Sequence, residues 1–140
     1  MSVTTQRSVL VVDSDPGDLS DTVRLLQTAG YHVASASAFD QAKEILAHDS
    51  PDLLITGLRL GPYNGLHLIL RSQADHPGMA AIVTSRVRDA VLEAEAQRHK
   101  AAYLLRPLAD GDFLDAITRS LKVRAAEAPE DGGQVSDLTA

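Results

Sequence analysis

Five short, continuous apolar runs constrain the fold of this chain more than any other feature. Each run is about five residues long and rich in Val, Ile, Leu or Ala, as is typical of strands buried on both faces of a parallel sheet. A segment with apolar residues at helical spacing follows every run. The runs cover residues 8–12, 31–34, 52–56, 80–84 and 101–105.

Strands that alternate with helices indicate an α/β domain with a parallel sheet, helices on both faces and right-handed crossovers. Five such strands favour a flavodoxin-like, doubly wound (βα)5 fold with strand order 2-1-3-4-5. The first and third strands are neighbours in that order. We therefore expect Asp13, Ser14 and Gly57, at the carboxyl ends of those strands, to share one crevice.

Two helix predictions concern particular side chains. Ser37 is predicted to cap the second helix, because a serine hydroxyl can accept a bond from a first-turn amide. The fourth helix is predicted over residues 87–99. Its apolar spacing places Val87, Val91 and Ala94 toward the core.

Composition excludes several classes of protein. The 13 Lys and Arg against 19 Asp and Glu give a net charge of −6, which argues against direct nucleic-acid binding. The chain has no cysteine, so disulfides, cysteine-zinc sites and thiol catalysis are excluded and a reducing cytoplasm is the expected location. No apolar run is long enough to span a membrane, and the five histidines show no metal-ligand spacing.

The 140 residues suit a single domain. Residues 1–6 are polar and predicted to be a flexible N-terminus. Residues 7–124 carry all the predicted strands and helices. Residues 125–140 contain four acids and no Lys or Arg, and we predict a disordered acidic tail there.

Four motifs resemble, in order and spacing, those of response-regulator receiver domains. They are VVDSD, DLLITGLRLGPYNGL, IVTS and YLLRP, and the resemblance covers roughly residues 8–121. It implies a domain that takes phosphate from a histidine kinase onto an aspartate, with Mg²⁺, two acids after the first strand and a lysine after the fifth. It also implies a switch read out on the face of the fourth helix, fifth strand and fifth helix.

Three positions depart from this family pattern. Gly57 stands where the resemblance implies the phosphoacceptor aspartate, and Arg106 stands where it implies the lysine. Ser14 occupies the place of the second acid, with Asp15 displaced by one residue. Because Asp13 matches the first acid, the turn is interpreted as a vestigial acidic pocket, although the same residues also suit a helix cap.

Two further positions match the family. Thr84 corresponds to the switch hydroxyl and Tyr103 to the switch aromatic. Both are also ordinary packing residues at the end and middle of a strand. The sequence leaves open whether they still move as a coupled switch.

The chemistry of the crevice follows from these departures. An acyl phosphate needs a carboxylate nucleophile, and Gly57 has none. Mg²⁺ is normally held by one or two carboxylates together with phosphate oxygens. Asp13 is the only sure ligand left, so neither metal nor cofactor is expected. An ion pair between Asp13 and Arg106 is predicted to fill the pocket. Thr56 is expected to face the other side of the sheet, and nothing marks Ser14 as an activated nucleophile.

The function predicted from the resemblance is an atypical, non-enzymatic receiver that acts as a phosphorylation-independent interaction module in two-component signalling. Its expected partners are signalling proteins, such as a histidine kinase or another regulator, with a homodimer through the same face as a second arrangement. One alternative is a receiver regulated by a small ligand or a substitute phosphosite. Another is a small flavodoxin-like enzyme, although no nucleotide or catalytic motif is present.

Overall fold

The computed structural model describes residues 6–127, with side chains described through residue 124. The helices are α1 (Pro16–Thr28), α2 (Phe39–His48), α3 (Gly65–Asp75), α4 (Ala90–Arg98) and α5 (Asp110–Glu127). The strands are β1 (Ser8–Val12), β2 (His32–Ala36), β3 (Leu53–Gly57), β4 (Arg59–Leu60), β5 (Tyr63–Asn64), β6 (Ala80–Ser85) and β7 (Ala101–Leu105).

Five strands form one parallel sheet in the order β2-β1-β3-β6-β7. This is the predicted flavodoxin-like order, so the fold prediction is confirmed. Side chains alternate between the faces of the sheet, as strand geometry requires. One face packs against α2, α3 and α4, and the opposite face packs against α1 and α5.

The carboxyl edge is shaped by helix caps as well as by strand ends. The Asp15 side chain accepts a bond from the Asp18 amide at 2.9 Å and so caps α1. Asp89 caps α4 by accepting bonds from the Val91 and Leu92 amides. Such caps satisfy amides that have no partner within the helix, and they fix the point at which each helix leaves the cleft.

The predicted cap at Ser37 is wrong. The N-cap residue of α2 is Ala38, which makes no side-chain capping bond. The Ser37 amide instead donates to Gln41 Oε1 at 2.9 Å, and its hydroxyl lies 3.4 Å from the same atom. A glutamine one turn into the helix therefore reaches back to Ser37.

The predicted inner face of the fourth helix is also wrong. α4 begins at Ala90, three residues later than predicted, because Asp89 caps it. Val87 is therefore outside the helix and 64% exposed, while Val91 is 77% exposed, and Ala94 is exposed as well. The residues that face the core are Leu92 and Ala96, one turn apart. Two valines are left on the surface.

The loop after β3 contains a structure that the sequence did not predict. β4 and β5 form a short antiparallel hairpin. The Tyr63 ring of this hairpin stacks on Phe39 of α2, with ring centroids 4.6 Å apart. Phe39 is buried, so the hairpin is held to the domain by an aromatic contact.

Residues 1–5 and 128–140 lie outside the described residues. The flexible N-terminus and the disordered acidic tail therefore stay predictions. α5 continues to Glu127, three residues past its predicted end at Arg124, so residues 125–127 of the predicted tail are helical. Within residues 6–127, no helix is long and apolar enough to cross a membrane.

We predict that Gly65→Ala destabilises the domain. A Cβ at residue 65 would overlap the carbonyl oxygen of Gly57 and lie 2.7 Å from Thr56 Oγ1, so β3 and α3 would have to separate. Overpacking of this kind costs about 1–3 kcal/mol. Urea unfolding measures it. The matched control is Gly78→Ala, whose Cβ would meet nothing within 4 Å; equal midpoints for both variants would contradict the prediction.

Candidate functional site

The carboxyl ends of β1, β3, β6 and β7 surround one open cleft of about 290 Å³. The predicted residues that line it are Asp13, Ser14, Asp15, Gly57, Thr84 and Arg106. Tyr103 does not line it. The charged lining residues are three aspartates and three arginines: Asp13, Asp15, Asp18, Arg59, Arg86 and Arg106. The charges of the cleft are therefore balanced within the protein.

The Asp13 carboxylate lies beside Gly57, in the space that a larger residue there would need. A Cβ at residue 57 would be 3.2 Å from Asp13 Cγ and 3.2 Å from Asp13 Oδ1, which is tighter than ordinary van der Waals contact. Asp13 is only 7% exposed. Its Oδ1 accepts a bond from the Asp15 amide at 3.0 Å, which holds the carboxylate in this position.

Burial raises the pKa of the Asp13 carboxyl above its usual value, because the charged form is desolvated. The bond from the Asp15 amide and the positive charge of Arg106 oppose this rise, whereas the negative charges of Asp18 and Asp15 add to it. At Asp15 the bond from the Asp18 amide lowers the pKa. The two acids of the turn are thus shifted in opposite directions.

Neither Ser14 nor Asp15 is arranged as a nucleophile. The Ser14 hydroxyl donates to the Arg59 carbonyl at 3.0 Å, and no described base contacts it. The Asp15 carboxylate is engaged in capping α1. Thr56 is buried, does not line the cleft, and donates to the Gly57 carbonyl at 2.9 Å. An activated hydroxyl needs a base within hydrogen-bond reach.

Asp18 of α1 joins two arginines from different parts of the chain. Arg86 Nη2 lies 2.7 and 2.8 Å from the two carboxylate oxygens of Asp18. Arg106 Nε lies 3.7 Å from Asp18 Oδ2. The side chains of Asp18 and Arg106 are 16% and 11% exposed, so this part of the network is shielded from water. We call these three residues the Asp18 bridge.

The predicted ion pair between Asp13 and Arg106 is wrong. Among the described side chains, Arg106 pairs with Asp18 and donates from Nη2 to Thr22 Oγ1 at 3.0 Å. Its guanidinium also lies over the Phe113 ring, 5.5 Å from the centroid. These contacts hold Arg106 toward α1 and α5. Its charge still lowers the pKa of Asp13, but it makes no direct ion pair with that carboxylate.

The loop between β6 and α4 is bound by side chains from two other elements. Thr84, in β6 just before the loop, is buried next to Gly57 of β3 in the strand register. Within the loop, Arg86 binds Asp18 of α1, and the Val87 carbonyl accepts a bond from the Tyr103 hydroxyl of β7 at 2.8 Å. Contacts from α1 and β7 therefore hold the loop.

The carboxylates of the cleft do not fit a Mg²⁺ ion. Among residues 6–127 there is no group of three or more His, Asp or Glu side chains placed to hold a metal. Asp13 Oδ1 and Asp15 Oδ1 already accept backbone amides, and the Ser14 hydroxyl is turned to a carbonyl. Mg²⁺ requires oxygen ligands in near-octahedral geometry.

The sequence analysis missed Asp18 and Arg86, which form the shortest side-chain contact between described residues of the cleft. A signal was present for Arg86, because it follows Thr84 by two residues at the end of a predicted strand. Asp18 was less visible, since a first-turn acid is also what the helix dipole favours. Only the fold brings the two side chains together, across 68 positions of the sequence.

Comparison with known proteins assigns this arrangement to a family. Residues 9–118 match the model of the response regulator receiver domain family. The chain belongs to this family. The match runs from the second residue of β1 to the middle of α5 and includes everything between them.

Curated relatives of this receiver domain are regulatory proteins. AlgB, the alginate biosynthesis transcriptional regulatory protein of Pseudomonas aeruginosa, is 29% identical over 124 residues, 88% of this chain. The transcriptional regulatory protein GlrR of Escherichia coli K12 is 30% identical over 125 residues, 87% of this chain. The chain spans only 28% of the length of each of these relatives.

Solved structures agree on the fold. A CheY-like response regulator receiver domain protein from Methanospirillum hungatei superposes with a TM-score of 0.83 at 22% identity. The alignment covers 89% of this chain and 100% of that one. At this identity the similarity shows the fold and not the chemistry.

We predict that Asp18→Asn destabilises the domain by about 1–3 kcal/mol, because two charged hydrogen bonds are weakened and Arg106 is left without its counter-ion. Urea unfolding at pH 7 measures the loss. Asp21→Asn is the matched control on the same helix: Asp21 is 74% exposed and 3.8 Å from Arg24, so the change should stay within about 0.5 kcal/mol. Similar losses for both would mean that the Asp18 bridge is not stabilising.

We also predict that Asp13→Asn stabilises the folded protein at pH 7. The folded-state pKa of Asp13 is raised above 3.8, so the folded protein binds this proton more tightly than the unfolded chain does. The protonated Asp13 contributes its whole share to the free energy of unfolding below about pH 3.8, and this contribution is lost as pH rises through the folded-state pKa. Asparagine cannot ionise, so the variant does not lose this stability at pH 7, and its side-chain oxygen can still accept the bond from the Asp15 amide.

Urea midpoints of wild type and Asp13→Asn between pH 7 and pH 4 check this prediction. The advantage of the variant should shrink as pH falls toward the lower end. A variant that is less stable than wild type at pH 7 would mean that Arg106 outweighs burial at Asp13.

Proposed function

We propose that this receiver domain acts as a phosphorylation-independent protein-interaction module in two-component signalling. The observation that carries the proposal is Gly57. By resemblance, this residue stands at the phosphoacceptor position, and a glycine offers no oxygen for an acyl phosphate. The neighbouring Asp13 carboxylate occupies the adjoining space and accepts the Asp15 amide.

The Asp18 bridge supports the same proposal. A phosphate-dependent switch orders a segment of the chain through new contacts to the added negative charge. Here a carboxylate of the protein already binds the loop between β6 and α4 through Arg86. The Tyr103 hydroxyl binds the next residue of the loop. We infer that the loop is held in one arrangement without added phosphate.

The interaction face that we propose is formed by α4, β7 and α5. Its most exposed apolar residues are Val87, before α4, and Val91, within α4. Exposed valines flanked by the ion pairs of Arg88 with Glu93 and Arg98 with Glu95 give an apolar centre with a charged rim, as protein interfaces have. The partner in this proposal is a signalling protein, such as a histidine kinase or another regulator, or a second copy of the domain.

Two other functions are weaker candidates. A receiver regulated by a small ligand is favoured by the size of the open cleft, about 290 Å³. A flavodoxin-like enzyme would need an activated nucleophile with a general base in the cleft. The described polar side chains there are engaged in helix capping, ion pairing or a bond to a backbone carbonyl. A cytoplasmic location stays a prediction from composition.

The proposal predicts that wild-type protein gains no mass when incubated with Mg²⁺ and acetyl phosphate. Intact-mass spectrometry is the measurement. A receiver domain that is phosphorylated by acetyl phosphate serves as the positive control in the same tube. Gly57→Asp runs alongside, because a phosphoryl gain confined to that variant assigns the loss to residue 57.

A gain of about 80 Da in the wild type, the mass of one phosphoryl group, would overturn the proposal. Peptide mapping would then identify the substitute acceptor. Thermal stabilisation by a small anion without any mass gain would instead favour the ligand-regulated receiver.

A further inference from the structure

Four residues at the ends of neighbouring strands form a row across the floor of the carboxyl-edge cleft. They are Asp13 after β1, Gly57 in β3, Thr84 in β6 and Arg106 after β7, and all four line the cleft. In each case the residue two positions earlier belongs to, or packs against, the core beside α1 and α5. Residues two positions apart in an extended chain point to the same face. We call these four residues the floor row.

The floor row contains polar groups that are shielded from water and have no hydrogen-bond partner among the described residues. Thr84 is 3% exposed, and its hydroxyl makes no bond to the described part of the chain. Asp13 accepts the Asp15 amide through Oδ1, which leaves Oδ2. Arg106 is engaged through Nη2 and Nε, which leaves Nη1. Buried polar groups in proteins are almost always hydrogen-bonded, so these groups favour a bound molecule.

The order of the groups along the row indicates the kind of molecule. A carboxylate lies at one end, a guanidinium lies at the other, the Thr84 hydroxyl is next to the guanidinium, and Gly57 adds no side chain between them. The charge of Arg106 lowers the pKa of Asp13, although the two side chains make no direct ion pair. Since neighbouring strands lie about 4.8 Å apart, a small molecule with one cationic and one anionic end can bridge the two.

A molecule without net charge also suits the cleft as a whole. Three aspartates and three arginines line it, so one added charge would lie in the cleft without a counter-ion, which is destabilising. A zwitterion brings both charges together. The volume of about 290 Å³ is at the lower end of the range for small-molecule sites.

We propose that the floor row binds the ammonium and carboxylate groups of a small free α-amino acid. The ammonium donates to Asp13 Oδ2, and the carboxylate accepts bonds from the Thr84 hydroxyl and Arg106 Nη1. Hydrogen bonds between charged groups are the stronger class. The inference rests on the proposed phosphate-independent function, and it gives that interaction module an input other than phosphate.

NMR titrations of the full chain with glycine, acetate and methylammonium test the proposal, without Mg²⁺ or a phosphoryl donor. Glycine carries the two groups that all α-amino acids share, whereas acetate and methylammonium carry one each. Glycine should give saturable shifts of the Asp13, Gly57 and Thr84 amides. Acetate and methylammonium should each bind about tenfold more weakly or less, because each makes only part of the charged hydrogen bonds.

The variant Asp13→Asn should change the preference of the cleft. Loss of the carboxylate should weaken glycine binding about tenfold and strengthen acetate binding, because the positive charges of the cleft are then in excess. Thr84→Val should weaken glycine binding as well. Asp21→Asn is the matched control, since Asp21 is exposed on α1 and does not line the cleft, and glycine binding should persist. The spectra also report whether each variant is folded.

Three results would overturn the proposal. The first is the absence of saturable shifts with glycine up to about 100 mM, which is very weak binding on the usual scale. The second is equal affinity of the wild type for glycine and acetate, which would indicate a simple anion site. The third is unchanged glycine binding in Asp13→Asn. None of these results changes the mass measurement, so the amino-acid site can fail while the phosphate-independent function stands.

Discussion

The Asp18 bridge is the contact on which the arrangement of the carboxyl edge depends. It connects α1 to the loop after β6 through Arg86 and to the end of β7 through Arg106. The Asp18 carboxylate and the Arg106 guanidinium are largely shielded from water. Removing either charge would therefore leave the other buried without a counter-ion, which is destabilising. In the same loop the Val87 carbonyl accepts a bond from the Tyr103 hydroxyl, and the side chains of Val87 and Val91 are exposed at the start of α4. One side chain on the first helix therefore influences both the cleft and the face proposed for partners.

Gly57, which by resemblance stands at the phosphoacceptor position, adds no charge to the cleft. Three aspartates and three arginines line it, and the described carboxylates accept amides or pair with arginines instead of converging on one point. A receiver that takes phosphate needs the opposite: acids crowded together, with a metal to relieve their repulsion. The physical account of a phosphate-independent module thus rests on two features, an absent nucleophile and a site whose charges are already paired.

The strand order of the sheet could be predicted from the sequence, but the partners in the ion pairs of the cleft could not. Strands buried on both faces, such as Leu53–Gly57, read as continuous apolar runs, and alternation with helices leaves few topologies. α4 was misread because its core-facing residues are only Leu92 and the small Ala96, and the cap at Asp89 shifts the start of the helix past Val87. The partner of Arg106 was misread because Thr22, Asp18 and Phe113 compete with Asp13 for one guanidinium. That choice depends on side-chain directions that no local pattern encodes.

The measurement that tests the central claim most directly is an NMR titration of wild-type protein with Mg²⁺, followed by beryllium fluoride, which mimics a phosphoryl group on a carboxylate. The amides of Asp13, Gly57, Thr84 and Val87 report on the cleft and its loop. If the charges of the cleft are already paired within the protein, these amides should show no saturable shift with either addition. A saturable, Mg²⁺-dependent shift at Gly57 and Thr84 would contradict the account, because it would show a metal and phosphate site that still works.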